Sequence, residues 1–165
     1  GNDCAAAIAE HISGSQEAFA ELMNTEAKQL GATGTHFVNP HGLHDENHYT
    51  TTYDLYLMFN EALKDQAFLD IISMNSYTAK VTSADGTSYT PTWQATNYYS
   101  AGEATPPDGI HVYGGKTGTT DQAGNCVILY EKNTAGEPYI SVIMGASDKP
   151  LLYEEMNELL DAGMK

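Results

Sequence analysis

The sequence contains no arginine. Its seven basic residues are all lysines, set against 22 acidic residues, for a formal net charge of −15. Phosphate binding needs a basic face, so this composition argues against a nucleic-acid partner, and against an anionic membrane surface for the same reason. Nor is there an apolar run near the roughly 18 residues that a spanning helix requires. Cysteine is scarce as well. Cys4 and Cys126 allow one disulfide at most, and their spacing is no metal pattern. One lies in an alanine-rich helical segment and the other in an apolar strand, so both read as buried small residues rather than as a bridge.

What is present describes a folded chain. A length of 165 residues with 41% apolar composition suits one domain, or a large piece of a bigger one. The acidity keeps such a chain soluble. It also leaves few cations to compete with any single lysine for a small anionic group. The chain opens Gly1-Asn2-Asp3 without an initiating Met, as a mature or trimmed chain would, so the missing leader says nothing of compartment.

Periodicity changes along the sequence. Asn2 to Ile12, with Ala5-Ala6-Ala7-Ile8-Ala9, predicts a short helix. Ser13 or Ser15 then caps a second helix reaching about Leu30, with Phe19, Leu22, Met23, Ala27 and Leu30 on one face. Residues 31 to 49 form a polar loop. A third helix starts near Thr51, with Asp54 as capping-box partner, and a fourth short one spans Gln66 to Met74. Beyond it Tyr77, Ala79 and Val81 alternate up to Asp85-Gly86, a hairpin turn signal. Three strands follow, at about 110–119, 125–131 and 139–146. Asp148 and Pro150 open a last helix whose stripe is Leu151, Leu152, Met156, Leu159 and Leu160. Helices over about 1–75, a hairpin over 76–100, and a sheet with a final helix over 108–165 make an α+β class.

The most informative segment is Gly114-Gly115-Lys116-Thr117-Gly118-Thr119-Thr120. It joins a fixed cation, hydroxyls and a glycine-rich backbone, which is equipment for holding a carboxylate beside a reacting carbonyl. Without arginine, such binding uses a point charge and hydroxyls instead of a planar fork. Two other groups invite a sharper reading. His41, His44 and His48 have a spacing that a helix could turn into a metal face, but Asn39-Pro40 and Gly42 place them in a polar loop. Trp93, Tyr98 and Tyr99 are either an aromatic platform for a sugar or peptide, or the cover of the hairpin's core face.

Lys-Thr-Gly on a strand is a signature of penicillin-recognising serine acyl-enzymes. Other segments join it in order. Gly1-Asn2-Asp3 matches the tail of a Ser-x-Asn motif. Leu22-Met23-Asn24, Thr35-His36-Phe37, Asn39-Pro40-His41-Gly42-Leu43, Tyr49-Thr50-Thr51-Thr52-Tyr53-Asp54 and Thr96-Asn97 follow, and Ala123-Gly124 with Cys126 closes the series. Together they resemble the D-alanyl-D-alanine carboxypeptidases, the low-molecular-mass penicillin-binding proteins. One departure stands out: no Ser-x-x-Lys occurs anywhere in the sequence. The resemblance therefore implies the C-terminal portion of a catalytic domain of β-lactamase/transpeptidase-like fold, without its first strands and nucleophile helix.

The same resemblance implies roles. In the parent enzyme a serine attacks the carbonyl between two D-alanines, a lysine takes its proton, and an acyl-enzyme forms and is hydrolysed. Lys116, Thr117 and Gly118 bind substrate here: the lysine draws in the terminal carboxylate, the hydroxyl donates to it, and the glycine lets the peptide pass close. Thr119 supplies an oxyanion-hole N–H, a donor worth about 3 kcal/mol, and its hydroxyl reaches the same carboxylate. Asn2 binds the substrate amide and orients the lysine base, unless it is a frayed helix cap. No metal and no cofactor are expected. The implied partners are the peptidoglycan pentapeptide and β-lactam antibiotics, in the bacterial cell envelope outside the cytoplasm. An open strand edge at 139–146 would favour self-association. The fragment itself is expected to be inactive. The alternatives are a non-catalytic peptidoglycan-binding or scaffold module, or a β-lactamase relative; no Glu-x-x-Leu-Asn loop supports the last.

Overall fold

The computed structural model describes residues 1–163. Its helices begin where local chemistry satisfies their free N–H groups. Helix α1 (Asn2–Ser13) ends at Gly14, whose φ of 80° is the left-handed C-cap conformation. Helix α2 (Gln16–Gln29) is capped by Ser15, whose hydroxyl accepts from the Ala18 N–H, so the second of the two candidate serines is the cap. Helix α3 (Thr52–Ala62) is capped by Thr51, which accepts from the Asp54 N–H. The return half of that capping box is absent. The Asp54 carboxylate is buried and accepts instead from the Thr35 hydroxyl at 2.7 Å, which ties the 31–50 loop to α3. Helix α4 (Gln66–Ile72) is capped by Asp65.

The hairpin region is shorter-ranged than its alternation predicts. Strand β1 (Ser76–Thr78) pairs with β4 (Thr92–Gln94), and β2 (Val81–Thr82) with β3 (Ser88–Tyr89), as two separate two-stranded ladders. Pro91 interrupts the strand before Thr92, because proline donates nothing to a ladder. No core lies beneath it: Tyr77, Tyr89 and Trp93 are all about half exposed. Tyr98 and Tyr99 belong elsewhere, on a one-turn helix α5 (Tyr98–Ala101) that the sequence did not announce. Both rings pack on Tyr153, at 4.5 and 5.3 Å between centroids.

The main sheet is antiparallel in the order β5 (Ile110–Thr120), β6 (Gly124–Asn133), β7 (Pro138–Ala146). Helix α6 (Lys149–Ala162), capped by Asp148 with Pro150 in its first turn, lies across β6 and β7. Val127 and Leu129 point into this contact and meet Leu152, Met156 and Leu160, forming the core. Each such side chain withdrawn from water contributes about 1.5–3 kcal/mol. Ile128, of opposite parity, is buried too, so both faces are covered. Helix α3 leans on β7 and α4 on β5.

Cys4 is exposed on α1 and Cys126 only partly buried, and both thiols are free. The expectation that both are buried fails for Cys4, because α1 buries Ala9 alone and leaves even Ile8 and Ile12 more than half exposed. A different residue breaks the burial pattern from within. Glu131 lies on the α6 side of β6 and is 1% exposed. One carboxylate oxygen accepts from the Ser141 hydroxyl at 2.6 Å, and the other has no partner. Burial disfavours its charged form and pushes its pKa up to about 7.

Two outcomes follow from this packing. Folded Glu131 holds its proton more tightly than the unfolded chain does, so stability is full below the ordinary value of 4.5 and falls as pH rises to about 7. Glu131→Gln removes that slope, and urea unfolding across this range should show the variant gaining on the parent; a gap independent of pH would contradict it. Separately, β7 has a strand partner on one side only among the described residues. An unpaired edge templates further pairing, so the chain is expected to self-associate through 139–146. Sedimentation should show this, and Val142→Lys should reduce it.

Candidate functional site

A β-bulge sets up the site. Val112 lies opposite Glu131 and Gly114 opposite Tyr130, which leaves Tyr113 as the extra residue in β5. Beyond the bulge Gly115 opposes Leu129, Lys116 opposes Ile128, and Thr117 opposes Val127. Thr117 and Thr119 therefore share the α6 face, while Lys116 and Gly118 share the face toward α4. Gly114 is what lets α4 close on the strand: a Cβ there would sit 2.0 Å from the Ile72 carbonyl oxygen. At Gly118 the reverse holds, since a Cβ would meet nothing within 4 Å. The glycine thus leaves open space above the strand.

Two cavities flank β5. The first, of about 220 Å³, is lined by Lys116 and Gly115 together with Ile71, Ile72, Thr96 and Asn97. The second, of about 140 Å³, holds Thr117, Thr119, Thr96, Asn125, Lys149 and Tyr153. Thr96 borders both, and its hydroxyl lies 2.7 Å from that of Thr117. The Thr119 hydroxyl donates to Asn125 Oδ1 at 3.2 Å. Thr96 is held in place by its neighbour. Asn97 is 3% exposed, and its side chain accepts from the Tyr99 N–H to cap α5. The Tyr98 N–H in turn donates to the Tyr153 hydroxyl at 2.9 Å, which pins this loop to α6.

Lys116 folds back along its own strand and donates to the Thr117 carbonyl. The residue keeps a solvent-exposed surface, yet surrounding protein strips water from its ammonium and lowers its pKa from the usual lysine value. Lys149 Nζ stands 5.5 Å from the centre of the Tyr98 ring, so a second cation borders the threonine side. An ammonium, a hydroxyl pair and an unobstructed strand edge can hold a carboxylate by charge and donated hydrogen bonds, with peptide laid along the edge.

Of the residues that the sequence singles out, Thr117 and Thr119 line one cavity and Lys116 the other, on opposite faces of β5, with Gly118 in the same strand. Asn2, exposed in the first turn of α1, lines neither cavity. Thr96, Asn125 and Lys149 were not assigned to the site. The only signal for Thr96 was its place beside Asn97. The loop histidines are engaged by backbone: His36 Nδ1 bonds the Asn47 carbonyl, and His41 and His48 accept from backbone N–H groups. No metal-holding cluster of His, Cys, Asp and Glu exists among the described residues.

Fold and site together describe a DD-peptidase scaffold presenting a Lys-Thr-Gly edge strand. The chain belongs to the D-alanyl-D-alanine carboxypeptidase family, peptidase S11, whose profile matches residues 1–148. It is 32% identical over 161 residues to D-alanyl-D-alanine carboxypeptidase DacF of Bacillus subtilis, covering 98% of this chain and 39% of that protein. DacA of Haemophilus influenzae is also 32% identical, over 99% of this chain and 38% of its own length. Among solved structures, a serine-to-alanine mutant of a Streptomyces DD-transpeptidase superposes with a TM-score of 0.89 at 26% identity, covering 99% of this chain and 63% of that one. A D-alanyl-D-alanine carboxypeptidase of Mycobacterium tuberculosis gives 0.81 at 25% identity, over 99% of this chain and 59% of its own. The chain thus spans about 40% of the length of the curated relatives it matches.

The close approach at Gly114 is testable. Gly114→Ala forces its methyl into the Ile72 carbonyl and is expected to cost about 1–3 kcal/mol or more in urea unfolding. The same change at Gly118, where space is open, should cost far less.

Proposed function

We propose that this chain is the substrate-recognition part of a serine-type D-Ala-D-Ala carboxypeptidase acting on peptidoglycan stem peptides. The observation that carries the reading is that Lys116 and Thr96 line one cavity beside the edge strand β5, while the Thr96 hydroxyl lies 2.7 Å from that of Thr117. Membership of the carboxypeptidase family supports it. Lys116 attracts the terminal carboxylate, and the Thr117 and Thr119 hydroxyls donate to it. Gly118 lets the peptide backbone lie against β5, and the Thr119 N–H faces the oxygen that gains charge as the carbonyl is attacked. For Asn2, which lines neither cavity, the amide-binding role rests on the family resemblance alone. The attacking serine and its lysine base come from a Ser-x-x-Lys motif, which this sequence does not contain. β-Lactams, as carboxylate-bearing acylating agents, engage the same strand. The substrate is cell-wall material, so the protein works in the bacterial envelope, outside the cytoplasm.

Binding can be measured without turnover. Calorimetric titration with an N-acetylated peptide ending in D-Ala-D-Ala should show binding, weakened about tenfold or more when the C-terminal carboxylate is replaced by an amide. Lys116→Ala should abolish that difference. Because Lys116 attracts a carboxylate by charge only while it is protonated, the difference should also fade as pH rises toward a lysine pKa below 10.5. Equal binding of acid and amide forms would refute the reading. A fluorescent penicillin should leave no covalent adduct on the 165-residue chain; stoichiometric labelling would contradict the assignment of the nucleophile.

A further inference from the structure

We propose that the recess between α4 and the β1–β4 ladder is a second subsite, which takes an uncharged N-acetylated sugar ring of the glycan bearing the stem peptide. The inference deepens the reading above and rests on it for the identity of the polymer. The recess itself has an independent basis. Tyr77 and Trp93 are direct cross-strand partners. Their rings lie 6.5 Å apart at 14° between planes, and they stay 55% and 53% exposed. Across from them, Ile71 is 65% and Met74 is 40% exposed. Together with Ser76, Gln94 and Ala95 these residues line an open recess of about 580 Å³, within the range of small-molecule sites. Exposed apolar surface gathered this way marks a place where something binds.

The chemistry of the lining selects the occupant. The chain carries 29 formally charged side chains of the Asp, Glu and Lys types (22 acidic and 7 basic), yet none lines this recess. A charged ligand, such as a lipid headgroup or an ionised peptide side chain, would find no counter-ion. The only polar side chains at its rim, apart from the Tyr77 hydroxyl and the Trp93 N–H, are Ser76 and Gln94. A hydroxyl and an amide offer both donors and acceptors to the hydroxyl and acetamido groups of a neutral sugar. Its C–H face would lie on the aromatic and aliphatic walls.

Continuity gives the recess its place in the site. Ile71, Met74, Gln94 and Ala95 line both this recess and the cavity that holds Lys116. The aromatic pair therefore adjoins the cavity in which Lys116 would fix the carboxylate of the polymer. The β1–β4 ladder has only two strands, an arrangement of marginal stability alone. Occupation of its apolar side would hold it in place.

Trp93 is the sole tryptophan, so its emission reports the recess directly. Titration of the 165-residue chain with short N-acetylglucosamine oligomers should change that emission saturably. Tyr77→Ala, which keeps the fluorophore, should weaken the response about fivefold. Ile71→Lys, a change at an exposed helix position, should weaken it as well by placing a charge in the recess. No saturable response, a response only to lipid vesicles, or an unchanged response in both variants would overturn the proposal. The peptide titration separates the two readings. Peptide binding without a saccharide response removes the sugar subsite alone. A saccharide response without peptide binding leaves the recess and removes the carboxylate role of Lys116.

Discussion

A contact between two backbones governs the arrangement of this chain. The carbonyl of Ile72, at the end of α4, occupies the space that any side chain on residue 114 would need. Few contacts are so intolerant, because neither partner can rotate out of the way. It seats the helical part on β5 next to the lysine, and so creates the cavity between α4 and the strand. The aromatic recess depends on it as well, since Ile71 and Met74 flank that same helix end. On the other face the corresponding constraint is apolar: α6 presses Leu152, Met156 and Leu160 onto Val127 and Leu129. The groove is the line where a rigid backbone contact and a hydrophobic one meet along a single edge strand.

Electrostatics works in the same direction at two distant points. Lys116 and Glu131 carry opposite formal charges, yet the protein disfavours ionisation of both by removing water. At Lys116 this suits the proposed carboxylate binding, because a poorly hydrated ammonium loses less solvation when a carboxylate replaces the water around it. At Glu131 no ligand approaches, and Ser141 satisfies only one of the two oxygens. The cost there falls on stability. The excess of acidic residues is a surface property that leaves the groove itself governed by lysine.

Much of this architecture was legible in the sequence because its signals are local. Ser15, Thr51 and Asp148 each cap a helix within three residues, and each was readable. The three long strands and the Lys-Thr-Gly segment were readable for the same reason, and so was the family. What escaped depends on partners far along the chain. Thr96 becomes part of the site only by meeting Thr117, 21 residues away. Tyr98 and Tyr99 find Tyr153, more than 50 residues on, and not the hairpin. Cys4 looked buried because its neighbours are small and apolar, but burial needs an opposing surface, and α1 lacks one there. Asp54 was read as half of a capping box, and a threonine from the preceding loop claimed it instead.

The bulge in β5 has a consequence for how this strand can vary in length. Val112 and Thr117 are an odd number of positions apart, yet they share a face because Tyr113 is unopposed. Counted straight from Val112 without that slack, Lys116 would fall opposite Val127 and turn toward the hydrophobic layer. A relative one residue shorter at this point could straighten the strand and still present its lysine to the groove. The same loss between Lys116 and Thr119 would have nothing to absorb it, and would bring the cation and the Thr119 hydroxyl onto one face. Tyr113 is thus a spare link, and variation in length should gather there and avoid the four residues that follow Gly115.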